Sequence, residues 1–145
     1  MKKTIATVII TAILSGCQTA DETLMTSSTP IAVTGASASA IAGDMAGRLA
    51  EQVGQTGTTT LKMAKDTSEY AAALEAALKG WGYTVIVDGK VPKDHKPVQI
   101  EWSIDSFDGH VLARVSTPAF ALGRAYTATS TGATPASPLS IMQRN

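Results

Sequence analysis

Cysteine occurs once in this chain, at Cys17, so no disulfide framework forms within it whatever the redox state of its compartment. Aromatic residues are scarce: two tryptophans, three tyrosines and two phenylalanines in 145 residues. That scarcity argues against a large aromatic-lined pocket. There is no arginine run, and 12 Lys and Arg balance 12 Asp and Glu, so the electrostatic footprint of a nucleic-acid binder is missing. Only two histidines occur, His95 and His110, both in turn-forming surroundings. No Gly-x-Ser-x-Gly elbow is present, and Gly54-x-x-Gly57 lacks the Gly-Lys-Ser/Thr end of a phosphate-binding loop. Asp105, Asp108 and His110 could gather at a turn as metal ligands or an acid/base pair, but three polar residues are what a turn ordinarily holds. Lys90, Lys93 and Lys96 read as a solvated loop rather than a patch for lipid headgroups or peptidoglycan. The expectation is a protein that is not an enzyme and uses no cofactor and no metal.

What is present begins at the front. Met1-Lys2-Lys3 is positively charged, and Thr4 to Leu14 is apolar apart from threonines. Eleven residues are too few for a bilayer core, which needs about 20, but they suit the apolar region of a secretory signal. Leu14-Ser15-Gly16-Cys17 resembles the bacterial lipobox. The resemblance implies cleavage before Cys17, a diacylglyceryl thioether on its sulfur and an acyl group on its amine. Each buried methylene contributes about 0.8 kcal/mol, and more than one chain is needed for a firm hold. Gln18 follows, not the aspartate that retains many lipoproteins in an inner membrane, so the implied address is the outer membrane, facing the periplasm. No later apolar run approaches membrane-spanning length. Without Lys2 and Lys3, ten basic residues face 12 acidic ones, a net charge near −2.

Residues 17–34 are polar and small, the composition of a flexible tether. Leu24-Met25 and Ile31-Ala32-Val33 interrupt it, either as packing against the domain edge or as a strand that a partner captures by edge pairing. Residues 36–53 read as a helix: Ile41, Met45, Leu49 and Val53 recur at i+4, with Thr34 or Ser37 as N-cap and Gly54 and Gly57 as its close. Gly43-x-x-x-Gly47 suits close packing of this helix on a sheet, since Asp44 and Arg48 exclude a lipid-buried one. Thr58 to Met63 reads as a short strand. Asp66-Thr67-Ser68-Glu69 has the form of a capping box, and Tyr70, Leu74, Leu78 and Trp81 mark one face of the helix behind it, which ends at Gly80 or Gly82.

Tyr83 to Val87 is an apolar run suited to an interior strand. Val98 to Asp105 alternates, with Val98, Ile100, Trp102 and Ile104 inward. Asp108-Gly109 predicts a two-residue hairpin turn. It pairs Phe107 with His110, Ile104 with Ala113 and Trp102 with Val115, apolar opposite apolar, and Ser103 with Arg114 on the other face, where Gln99, Glu101 and Leu112 also lie. Phe120 to Tyr126 reads as a last strand, entered through Pro118. From Ala128 the Thr, Ser, Ala, Gly and Pro content predicts disorder. The apolar Pro138 to Met142 within it is either incidental or a docking segment. The organisation is thus a cleaved signal (1–16), a lipidated flexible tether (17–34), a globular domain (35–127) and a flexible C-terminal tail (128–145). The domain is an α/β (α+β) two-layer sandwich, with two helices on one face of a mixed sheet of about four to five strands.

The chain resembles the TrbH family of conjugal-transfer lipoproteins of Trb-type mating-pair-formation systems. The resemblance is carried by Ser15 to Ala20, Ile41 to Ala46, Ala73 to Tyr83, Phe107-Asp108-Gly109 and Ala121 to Tyr126, and runs nearly the full length. It implies a structural lipoprotein of a conjugative type IV secretion apparatus, one subunit of a multi-subunit ring. Its partners would be outer-membrane core-complex proteins and, through Cys17, the membrane. Larger relatives imply a small α/β domain like that at the front of secretins. A different class stays open: an accessory lipoprotein of an envelope transporter, holding lipid or a small molecule between helices and sheet.

Overall fold

The computed structural model describes residues 29–145. The elements in chain order are β1 (Thr29–Pro30), α1 (Gly35–Val53), β2 (Thr60–Met63), α2 (Glu69–Gly80), β3 (Thr84–Ile86), β4 (Val98–Phe107), β5 (His110–Ser116), β6 (Phe120–Thr129), β7 (Gly132–Pro135) and β8 (Ser140–Gln143). The sheet runs β3-β2-β4-β5-β6-β7, with β1 also on β4 and β8 also on β6. Only the β2–β3 and β2–β4 pairings are parallel. This is the α+β arrangement the sequence predicts, with a larger sheet: eight strands among the described residues.

Both helices bury one stripe on the same sheet face. Ile41, Met45 and Leu49 of α1 and Leu74 and Leu78 of α2 are fully buried against Leu61, Met63, Ile100, Ile104, Val115 and Leu122. Each such side chain contributes roughly 1.5–3 kcal/mol by leaving water. Trp81 departs from the expected stripe. It lies past the last helical residue, its ring half exposed (51%), and it covers Gly47 of α1. A Cβ on Gly47 would meet that ring at 3.3 Å, so the close approach predicted for Gly47 is to Trp81, not to the sheet, while Gly43 faces open space.

The helix ends also differ in detail. Ser68, not Asp66, is the N-cap of α2, its hydroxyl accepting from the Ala71 N–H at 3.2 Å. Asp66 instead accepts from the Ser68 N–H at 2.7 Å and shapes the turn that delivers the cap. Glu69 reaches across to the Gly35 N–H, the first residue of α1, where the Thr34 side chain makes no capping bond. A carboxylate from one helix thus serves the positive end of the other. At the far end of α2, the Tyr83 N–H donates to Leu78 O and the Gly82 N–H to Lys79 O, with Gly82 at φ +96, a Schellman closure.

The β4–β5 hairpin has the predicted register throughout. Asp108 and Gly109 have φ of 49° and 76°, the left-handed pair a type I′ turn requires. The strand expected at 83–87 is an edge, not an interior strand. Its apolar run reflects local cover rather than a central place: Tyr83 is buried and its hydroxyl donates to Gly54 O at 3.0 Å, and Ile86 is covered by the turn at Gly89.

Two boundaries move. Residues 29–34 belong to the domain, not the tether: the Ile31 N–H donates to Ile104 O at 3.2 Å and Val33 is buried. Residues 128–145 are ordered rather than a flexible tail. β6 continues to Thr129, and β7 and β8 return along its free edge. The small, polar composition that reads as disorder is what α1 needs, because it lies directly over β7 and a Cβ on Gly132 would sit 3.6 Å from Ala40. Cys17, the signal and the rest of the tether lie outside the described residues.

Candidate functional site

Strand β6 alternates Phe120, Leu122, Arg124 and Tyr126 toward the helices, so Arg124 stands among apolar neighbours opposite the small Ala113. Its counter-charge comes from above. Asp44 projects from the buried side of α1, between Ile41 and Met45. Arg124 Nη1 donates to Asp44 Oδ2 at 2.9 Å, and the Tyr126 hydroxyl donates to the same oxygen at 2.7 Å. Arg48 lies 3.5 Å from Asp44 Oδ1 and donates to Glu51 at 2.8 Å. Arg124 Nε donates to Ser137 O at 3.0 Å, and the Ser137 hydroxyl accepts from the Ala125 N–H at 2.9 Å. Four residues, 136–139, thus span the two-residue interval Arg124-Ala125 between the β7 and β8 registers. That bulge turns a carbonyl toward the guanidinium.

Burial acts to raise the Asp44 carboxyl. The hydrogen bonds from Tyr126 and Arg124, and the charges of Arg124 and Arg48, outweigh it and hold the pKa below the ordinary 3.8. Burial, and then the bonded Asp44 carboxylate, push the Tyr126 phenol well above its usual range. Burial does the same to Tyr70, whose hydroxyl is the one fully buried side-chain polar atom without a partner among the described residues. The cluster offers neither a free nucleophile nor an open coordination position. Its acid, base and phenol bind one another, and their effect is to tie α1, β6 and the returning C-terminal segment together.

The histidines and loop lysines do not assemble. His110 Nδ1 lies 3.3 Å from Thr127 Oγ1, and His95 forms a backbone turn with Pro92. Asp105 accepts from Ser103 at 3.3 Å. Among the described residues, no three His, Cys, Asp or Glu side chains are placed to hold a metal. No helix there is long and apolar enough to cross a membrane.

The described surface also has several shallow concavities. One, of about 230 Å³, lies on the helix-free sheet face among Leu112, Arg114, Gly123 and Met142. Another, of about 430 Å³, lies at the β4 edge. Sequence reasoning missed both the Asp44–Arg124 pair and this edge cavity. The pair had a signal: a charge at an inward position of a strand, and an opposite charge on the buried stripe of a helix. The cavity had none, because it depends on which strands flank β4.

Fold and polar cluster together define a small α+β packing module whose inward charges fasten its layers. The chain belongs to the TrbH family: the family described as "Conjugal transfer protein TrbH" matches residues 19–145. It is 66% identical over 148 residues, covering 100% of both chains, to a protein described as "Probable conjugal transfer protein TrbH" from Sinorhizobium fredii (strain NBRC 101917 / NGR234). No solved structure matches it.

Proposed function

We propose that this protein is a lipid-anchored structural component of a conjugative type IV secretion apparatus, not an enzyme. In this reading Cys17 carries the lipid, the polar residues after it span from the outer membrane to the domain, and the domain packs against core-complex subunits. The observation that carries the reading is full-length likeness to a conjugal transfer protein, at 66% identity over 100% of both chains. The lipobox resemblance at Leu14-Ser15-Gly16-Cys17 supports the anchor. The polar cluster agrees with a packing role, because its charged groups are occupied by one another.

The C-terminal segment does not wait on a partner for its order, since residues 140–143 pair with β6. The partner surfaces are then the helix-free sheet face and the exposed edges. The test is Cys17→Ala in a strain lacking the wild-type gene. The expected result is release of the protein from the membrane pellet together with a sharp loss of plasmid transfer at unchanged protein level. Full transfer by a released variant would overturn the anchoring role.

A further inference from the structure

Ser116 is buried on the sheet face that carries no helix. Val115 before it is fully buried toward the helices, so alternation turns Ser116 the other way, in one row with its partners Glu101 and Ala121. Arg114 lies two residues back along β5 on the same face, opposite Ser103. Met142 pairs with Ala121, and the Arg144 N–H donates to Ala119 O at 2.8 Å, so the Arg144 side chain also leaves from this face. It reaches back over β6, where Nη1 donates to Thr117 O at 3.3 Å. Three charged side chains from three different strands or strand ends thus converge on one serine.

They do not neutralise one another. Glu101, Arg114 and Arg144 have no opposite charge within salt-bridge distance among the described residues, although Glu101 and Arg114 are diagonal neighbours on paired strands. They stand instead around a concavity of about 170 Å³, which Ser103 and Ser116 also line. A second one, of about 90 Å³, continues it past Ser116 toward Gln99 and Pro118, still between Glu101 and Arg144. Ser116 is only 5% exposed, yet its hydroxyl has no hydrogen-bond partner among the described residues. A buried hydroxyl left without a partner is costly, and this one lines a space that a ligand can enter. The charges select the ligand. Two guanidiniums repel a simple cation, Glu101 repels a multiply charged anion, and a neutral group leaves all three unpaired. A carboxylate and an ammonium on one carbon satisfy both signs: the carboxylate accepts from the arginines and the Ser116 hydroxyl, and the ammonium donates to Glu101.

We infer that the corner around Ser116 on the helix-free face binds the zwitterionic head of an amino acid, its carboxylate held by Arg114, Arg144 and Ser116 and its ammonium by Glu101. Such a head occurs on free amino acids and on diaminopimelate side chains of cell-wall stem peptides. The inference goes beyond the anchoring role and does not depend on it, since the Cys17 experiment tests that role separately.

The test titrates the full chain in detergent with alanine, with N-acetylalanine, which lacks the ammonium, and with alaninamide, which lacks the carboxylate. Binding is read from backbone amide chemical shifts by NMR. The expected result is saturable shifts centred on Glu101, Arg114, Ser116 and Thr117, with alanine binding about 5-fold more tightly than either analogue. Glu101→Gln should abolish the advantage of alanine over N-acetylalanine while leaving N-acetylalanine binding in place. Ser116→Ala should weaken alanine and N-acetylalanine but not alaninamide. A stem tripeptide containing meso-diaminopimelate separates the two sources: tighter binding than alanine assigns the cell wall, equal binding the free amino acid, and both support the site. Absence of saturable shifts in the millimolar range would overturn it. So would shifts centred elsewhere, equal binding of alanine and its two analogues, or a preference for alanine that survives Glu101→Gln.

Discussion

Asp44 ties α1 to β6 through one carboxylate. Its Oδ2 accepts from a strand arginine and a strand phenol at once. Removing the charge leaves Arg124, whose side chain is only 17% exposed, without a counter-ion. Asp44→Asn should destabilise the fold by about 1–2 kcal/mol, the range for hydrogen bonds to a charged group, discounted for partial exposure. The pH dependence has a definite sign. The folded pKa lies below the ordinary 3.8, so the contribution is complete above that value and is lost as pH falls through the folded pKa. Urea unfolding of wild type and Asp44→Asn should therefore differ most at neutral pH and converge in acid, once the pH has fallen through the lowered folded pKa. An equal difference at both would remove Asp44 as the source. Gly82 is a second single-residue test. At φ +96, Gly82→Ala is strained in backbone conformation, while the nearest atom to the new Cβ, Thr56 Oγ1, stands at ordinary contact distance, 3.4 Å. Thermal unfolding should report a loss of at least about 1 kcal/mol.

Elements differ in how far their sequences announce them. The β4–β5 hairpin was legible to the residue, because Asp108-Gly109 admits the left-handed turn and the alternation on both strands agrees with one register only. α2 was legible too, but its start was not. Asp66-x-x-Glu69 and Ser68-x-x-Ala71 both satisfy a three-residue capping spacing, and tertiary structure decides between them by sending Glu69 to α1. β7 and β8 were illegible, because an edge strand is held by backbone bonds that composition does not report, and its small residues serve the helix above it. Their removal should be costly. Deleting residues 136–145 strips β8 from Phe120 to Gly123, loses the Arg144 bonds to Ala119 O and Thr117 O, and opens a central strand as a new edge. The expected result is a less stable protein that self-associates on gel filtration. A monomer of wild-type stability would show that β8 contributes only local cover.

Across the whole molecule, the first and last described strands leave the sheet at opposite ends. Thr29 pairs with Ser106 beside the Asp108-Gly109 turn, whereas Gln143 pairs with Phe120 at the far end. Both run along their neighbours rather than away from them. A force drawn between these points acts parallel to the strands, and the cross-strand hydrogen bonds must then yield together instead of opening one after another. The arrangement is that of a load-bearing link, stiff along the line joining its two ends and weaker across it. Single-molecule pulling between residues 29 and 143 should record one abrupt rupture. Pulling across the sheet, between Thr84 and Ala133, should peel it at lower force, and equal forces in the two directions would contradict the geometry. A subunit suspended from a lipid on one side and held by a machine on the other would meet tension along its strong axis.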